Sequence, residues 1–494
     1  MIARQQAQPG RRRKRRPKSQ ERMRRMPQSR PNVLFILVDD MGWMDLACQG
    51  SGFYQTPNID RLARQGLRFT NAYAACPVCS PTRASIMSGK YPATVGLTNW
   101  IGGDARGKVI DAPYIRQLPP SEHSLAAALR DGGYQTWHVG KWHLGQQEAY
   151  PERHGFDVNV GGCNVGSPGP GGYFALWTTI PALAEADVPE GTYLTDYLTD
   201  RAMELIDGRD GERPFFLNLW YYTVHTPIQA PAEKVATCEA RARELGLDKQ
   251  PTFEEGELFP CEHKKDQRVR RRLLQSDPTY AAMIESLDEN VGRVLGALEA
   301  AGELDNTIVV FTSDNGGLAT AEGSPTCNAP LAEGKGWMYE GGTRVPLVVR
   351  YPALCSPDTT CDEPTTSPDF YPTLLELCGL GALPDQHTDG VSIVPLLGGE
   401  AGFERGPIFW HYPHYGNQGG TPGSSVRWGD FKLIEFFETG RLELYNLAED
   451  VSEERDLAAE RPDVTARLHQ ALCDWRDSVN AQTPQPNPDF VPWR

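Results

Sequence analysis

The sequence predicts an α/β fold: a sandwich around a central, mostly parallel sheet, with a smaller α+β subdomain at the C-terminal end. Three observations carry this. Short apolar runs alternate with amphipathic, helix-like stretches along most of the chain. Several of those runs stop abruptly at charged or polar residues. Near residue 400 the pattern changes to short alternating segments and a last helix.

The first apolar run is Val33–Val38 in "PNVLFILVDDMGW", continuous enough to be a strand covered on both faces. "TPNIDRLARQG" reads as a helix, with proline at its entry and glycine at its exit. "SLAAALRDGGYQTWHVGKWHLG" reads as helix, tight turn, strand and polar loop. "PFFLNLWYYTVHTP" is a second buried strand ending in a histidine loop. "DPTYAAMIESLDENVGRVLGALEAAG" is a long amphipathic helix, and "NTIVVFTSDNGG" a further apolar strand. Residues 151–200, rich in Gly and Pro, and 229–277, strongly charged, read as insertions that form surface and substrate-facing loops. In the last hundred residues, "SSVRWGDFKLIEFFETGRLELYNLAED" reads as two alternating segments joined by a Gly turn, and "DVTARLHQALCDWRDSV" as a terminal helix. The expected division is a basic tail at 1–30, a catalytic domain at 31–399 and a subdomain at 400–494.

The chain of 494 residues carries −15 overall, yet residues 1–30 hold twelve Arg or Lys and one Glu. That segment has no apolar periodicity and reads as a disordered basic tail; nucleic acid is not an expected partner of the whole. It lacks the apolar core of a signal peptide, so the sequence as given points to the cytoplasm, or to the periplasm or exterior if its start is misassigned. No run is long and apolar enough to span a membrane. Eleven cysteines cannot all pair internally. Cys355 and Cys361 flank a short loop and would pair in an oxidising compartment.

Chemistry in open α/β sheets gathers at strand C-terminal ends. Four apolar runs here end in Asp39-Asp40, in Lys141 with His143, in His225, and in Asp314-Asn315. Three carboxylates and an amide oxygen suit a hard cation, Ca²⁺ or Mg²⁺. Lys141 and His143, two apart, share a face if extended, and Lys335 sits in a Gly-rich loop. Cations around a metal would hold an anionic, tetrahedral oxo-ester, sulfate or phosphate alike. In "CPVCSPTRASIMSGKYP", Cys79 stands open as metal ligand, thiol nucleophile, half-disulfide or precursor of another group.

Cys79-Ser80-Pro81-Thr82-Arg83 followed by "ASIMSG" resembles the signature of the type I, formylglycine-dependent sulfatases of the alkaline-phosphatase-like superfamily. Thr82 is a mild departure. "NVLFILVDDMGW", "HVGKWHLG", "VHTP", "FTSDNGG" and "KGWMYEGGTRVP" occur in the family's order, and the likeness runs from Pro31 to about Asn480. The resemblance implies that a maturation enzyme converts Cys79 to Cα-formylglycine (3-oxoalanine), whose hydrate is the nucleophile and later expels sulfate. It implies Ca²⁺, with Mg²⁺ second, on Asp39, Asp40, Asp314 and Asn315. Arg83 would hold the diol, Lys141 and Lys335 the sulfate oxygens. His143 would take a proton from the diol, and His225 would serve as general acid to the leaving oxygen. A serine that some relatives place after "HGFD" has no clear match here.

The expected activity is sulfuric ester hydrolysis on a sulfated small molecule or glycan. The alternatives are a phosphonate monoester or phosphodiester hydrolase with the same nucleophile, and a non-catalytic anion-binding protein if Cys79 stays unmodified. Aromatic, amide and imidazole groups in "LTNWIGGDARGK", after residue 160, and in "FWHYPHYGNQGG" favour a sugar, with His414 as a substrate contact.

Overall fold

The computed structural model describes residues 30–493. The basic tail expected at 1–30 therefore lies, but for Arg30, outside the described residues. Eight strands form the main sheet: β1 (Asn32–Val38), β2 (Leu67–Phe69), β3 (Gln135–Gly140), β4 (Val158–Val160), β5 (Phe215–Trp220), β6 (Thr307–Ser313), β7 (Leu347–Arg350) and β8 (Thr359–Cys361). Their order is β8-β2-β7-β6-β1-β5-β3-β4. The run β6-β1-β5-β3-β4 is parallel throughout. β7 lies antiparallel between β6 and β2, which makes the sheet mixed at one side.

β1 shows why the run is unbroken. Leu34, Ile36 and Val38 enter one core, and Val33, Phe35 and Leu37 the other. Each such side chain removed from water contributes about 1.5–3 kcal/mol before entropy is counted. Helices α1 (Pro57–Gln65), α4 (Leu194–Asp207), α5 (Ala232–Glu244) and α6 (Pro278–Ala300) cover the first face. Helices α2 (Cys79–Ser88), α3 (Leu125–Asp131) and α7 (Phe370–Leu377) cover the second. α6 starts where Asp277 accepts from the amides of Thr279 and Tyr280, with Pro278 at its first position.

The smaller unit is a four-stranded antiparallel sheet, β9 (Ile408–Tyr412), β10 (Gly423–Trp428), β11 (Phe431–Phe436) and β12 (Arg441–Asn446), with helix α8 (Pro462–Ser478) on one face. The sequence reading saw two segments where three consecutive strands stand, because two tight turns follow one another, at Gly429-Asp430 and before Arg441. The other face packs on Tyr73, Cys76 and Val78, the approach to α2. Trp410 Nε1 donates to the Ala74 carbonyl at 2.8 Å.

The two insertions diverge. Part of 151–200 lines the main cleft. Residues 229–277 instead form α5, which packs against α6, and a charged hairpin, Phe253–Leu258 with Arg268–Arg272, none of whose residues lines that cleft. All eleven cysteines are free, Cys355 and Cys361 included.

Candidate active site

β1 and β6 run parallel in a register that sets Val38 beside Ser313. The next residues, Asp39-Asp40 and Asp314-Asn315, therefore leave the sheet side by side. The Asp40 amide donates to Asp314 Oδ1 at 3.2 Å, and Asn315 Nδ2 to Asp40 Oδ1 at 2.9 Å. β3 delivers Lys141 to the same edge. Gly140 has φ 106°, and a Cβ there would lie 1.9 Å from the Trp220 carbonyl, so only glycine allows this close approach to β5. Lys141 Nζ then reaches Asp39 Oδ2 at 2.6 Å. Lys335 Nζ meets Asp40 Oδ2 at 2.7 Å, and His225 Nε2 lies 3.7 Å from that oxygen.

Cys79 is the first residue of α2, a helix whose every residue is buried. The residue stands at the helix's positive end, and its Sγ lies 3.3 Å from His143 Nδ1. Arg83, one turn on, donates through Nε to Asp314 Oδ2 and through Nη1 to the Lys141 carbonyl, both at 2.8 Å. Asp40 and His143 both hold the left-handed backbone, φ 63° and 56°, an uncommon state for these residues that tends to mark functional positions. The structure thus brings Asp39, Asp40, Cys79, Arg83, Lys141, His143, His225, Asp314, Asn315 and Lys335 to one place.

Burial raises the Asp39 carboxyl well above its ordinary range, Lys141 opposing and Asp314 and Asp40 reinforcing. Burial also pushes Asp40 up, but Lys335, His225 and Lys141 outweigh it and hold that carboxyl low. The Cys79 thiol is pushed up by burial against the pull of Lys141 and Lys335. A thiol so held is a poor nucleophile. Burial and the nearby Lys141 and Arg83 keep His143 neutral, and burial and Lys335 bring His225 down to about 3.

The donor set fits a divalent cation. Asp39 Oδ1 and Asn315 Oδ1 are buried without a hydrogen-bond partner. Buried oxygens are seldom left so. Ligand atoms of Asp39, Asp40 and His225 lie within 4.8 Å of one another. A second grouping, Glu435, His469 and Cys473, already holds a cation: Arg476 Nη2 lies 2.7 Å from Glu435 Oε2 and 3.3 Å from Cys473 Sγ.

The site opens into a cleft of about 550 Å³ whose walls come from distant segments. Trp100 and Ile101 form one side, Asn164 to Ser167 another, and Glu322, Asn417 and Gln418 a third. A model of the sulfatase family matches residues 31–380, and a model of the N-sulphoglucosamine sulphohydrolase C-terminal region matches 333–478. The chain belongs to the sulfatase family. It is 32% identical to a sulfatase of Formosa agariphila, covering 92% of this chain and 90% of the relative. It is 30% identical to human N-acetylgalactosamine-6-sulfatase over 77% of this chain and 68% of that one. The solved structure of Ps i-CgsB matches with a TM-score of 0.73 and 27% identity, covering 94% of this chain and 95% of its own. This sulfatase-family hydrolase therefore carries the fold and an acidic, cation-ready centre together.

His414 is the exception among the expected residues. It is fully buried, bonded to Thr98 Oγ1 at 2.8 Å and 3.5 Å from Asp111 Oδ2, and is not part of the cleft wall. His411 is likewise held inside, by Ser424 and the Gln482 carbonyl. From that stretch the cleft receives Asn417 and Gln418 instead. Sequence reasoning also left Ser167, Trp100 and Glu322 unassigned. Ser167 stands in the loop after "HGFD" where a serine was sought, and its place in the wall was the missing signal.

Proposed function

We propose that this sulfatase releases inorganic sulfate from a sulfated carbohydrate, using a Cys79-derived formylglycine and Ca²⁺ held by Asp39, Asp40, Asp314 and Asn315. The observation that carries the reading is the orphaned pair Asp39 Oδ1 and Asn315 Oδ1 beside Cys79, Arg83 and two lysines. When bound, the cation supplies charge against the ester oxygens, and the hydrated formylglycine supplies one oxygen to attack sulfur and a second hydroxyl through which sulfate can leave.

The chain's own residues do the rest. Arg83 is fixed by Asp314, which its Nε and Nη2 both meet at 2.8 Å, and by the Lys141 carbonyl, and its Nη2 stands 3.8 Å from Asp39 Oδ1, so its charge is held at the centre. Lys141 and Lys335 hold the ester's oxygens and balance charge as the bond to sulfur breaks. Neutral His143, 3.3 Å from the residue-79 side chain, accepts its proton. His225 Nδ1 is engaged by the Thr226 carbonyl at 2.8 Å, which leaves Nε2 to serve the leaving oxygen. An arriving anion raises the basicity of that ring, so it takes up the proton it donates only with ester in place.

The amides, hydroxyl and indole of the cleft wall suit a sugar, which must have its hydroxyls satisfied and its apolar face covered. Related structures include Ps i-CgsB in complex with k-i-k-neocarrahexaose. The test pairs two measurements on protein made with a formylglycine-generating enzyme. Mass analysis of the residue-79 peptide should show loss of the thiol in favour of an aldehyde. Sulfate release from sulfated saccharides should exceed hydrolysis of phosphonate monoesters and phosphodiesters. Active protein with an unmodified Cys79, or a preference for the phosphorus esters, would overturn the reading.

A further inference from the structure

The charges around the cleft are unevenly placed. Of its lining residues, Lys335 is the one lysine or arginine, and it is already paired with Asp40 at 2.7 Å. The outer wall, from Trp100 through Asn164 and Ser167 to Asn417 and Gln418, offers amides, a hydroxyl and an indole but no cation among the described residues. Lys264 stands behind Asn417, its Nζ bonded to the Asn417 carbonyl at 2.6 Å and set over the Phe259 ring. The one formal charge on the outer wall is negative: Glu322.

Glu322 is also fixed in place. Its Oε1 accepts from Gln418 Nε2 at 2.8 Å. The Gln418 carbonyl in turn accepts from Thr320 Oγ1 at 2.8 Å and Trp337 Nε1 at 3.0 Å, so the partner is itself anchored. Glu322 adopts φ 53°, a conformation that L side chains rarely take. The carboxylate is near enough for its charge to be felt at Lys335.

We propose that Glu322 makes this cleft selective for a sugar whose only anionic group is the sulfate to be removed. This rests on the sulfated-carbohydrate reading and narrows it. A second sulfate or a carboxylate beside the scissile group meets Glu322 with no cation to offset it. A hydroxyl or acetamido N–H in the same place can donate to the carboxylate instead.

The test is binding of matched sugars to the calcium-loaded full chain carrying Cys79→Ala, which holds ligand without consuming it. The pairs are N-acetylglucosamine 6-sulfate against glucosamine 2-N,6-O-disulfate, and galactose 4-sulfate and 6-sulfate against galactose 4,6-disulfate. Calorimetry should give the monosulfated partner at least about tenfold lower Kd in one or more pairs, and raising salt should narrow that gap. Adding Glu322→Gln should bring the pair within about threefold, by improving the disulfated ligand. A structural role alone would weaken both partners equally, and that result would overturn the proposal. So would equal binding of both members of every pair, or no binding of any. Selectivity that persists while the wild-type enzyme frees no sulfate from any sugar would instead sink the functional reading and leave the charge selection standing.

Discussion

Two clusters of buried charge lie in this molecule, and they differ in what they leave unfinished. At the cleft, Asp39, Asp40 and Asp314 meet Arg83, Lys141 and Lys335. At the junction with the small sheet, Glu340 and Glu453 share Lys432, with Arg344 and Tyr73 also on Glu340. In the junction three of the four carboxylate oxygens are hydrogen-bonded, Glu340 Oε1 to Lys432 at 3.0 Å, Oε2 to Tyr73 at 2.7 Å and Glu453 Oε2 to the Glu340 amide at 2.6 Å, and the fourth, Glu453 Oε1, has its cation, Lys432, in contact at 2.9 Å. In the cleft, Asp39 Oδ1 has no hydrogen bond, and its Arg83 neighbour is 3.8 Å away. Burial and ion pairing alone therefore do not mark a functional site. What marks it is an oxygen kept waiting at the foot of an open cleft.

The largest separation should come from removing one carboxylate of each kind. Asp39→Asn should lower kcat/KM for a sulfate ester by about a thousandfold or more while the folding stability of the metal-free protein stays level or rises, since the fold without the cation disfavours that charge. Glu340→Ala should do the reverse, costing about 3–5 kcal/mol in denaturant unfolding because Arg344 loses its carboxylate and Lys432 one of its two, with near-normal turnover per folded molecule. Equal loss of stability in both variants would erase the distinction.

Chelation sharpens it next. Removing divalent cations should abolish turnover, and Ca²⁺ should restore it and raise the unfolding midpoint of wild type. In Asp39→Asn the cation should move the midpoint far less, and in Glu340→Ala by as much as in wild type. A wild-type midpoint indifferent to Ca²⁺ would count against the metal centre.

Smaller again is a pH effect confined to the junction. Burial raises the Glu453 carboxyl to about 7, Lys432 opposing and Glu340 adding to the rise. A carboxyl raised in the fold weakens the folded state where it must ionise. That penalty is full above about pH 7 and fades as pH falls toward the unfolded value of about 4.5. Glu453→Gln should flatten this segment of the stability profile by on the order of 1–3 kcal/mol, measured by urea unfolding from pH 4.5 to 8. An unchanged profile would show that Glu453 ionises normally.

How far the sequence revealed these regions follows from the range of their contacts. Asp39-Asp40 and Asp314-Asn315 were readable because each breaks an apolar run, and parallel pairing of two such runs brings them together without further information. The junction was not readable: Glu340 lies in the motif "KGWMYEGGTRVP" and Lys432 in an expected strand, but nothing in either segment or around Glu453 shows that the three meet, which follows from packing of the small sheet on the large unit. The same limit applies to the cleft wall. The stretches that hold Trp100 and Gln418 stand out by their aromatic and amide content, but which of their residues face the cleft is set by packing, and nothing local distinguishes Glu322. His414 misled for the opposite reason. Among aromatics an imidazole suggests a sugar contact, but its partners Thr98 and Asp111 lie some three hundred positions earlier and draw it inside.

The burial of α2 has a consequence in time rather than space. Cys79 is 4% exposed, at the head of a helix whose other residues are all buried, and the preceding Cys76 and Val78 are covered by the C-terminal sheet. A small ester can reach Cys79 through the cleft, but an enzyme that must seat this stretch of chain in its own active site cannot. On the proposed formylglycine chemistry, conversion of Cys79 must therefore precede closure of the fold. On that chemistry strands β9–β12, which follow this helix in the chain, set the deadline: once they dock, a molecule still carrying Cys79 keeps it until it unfolds.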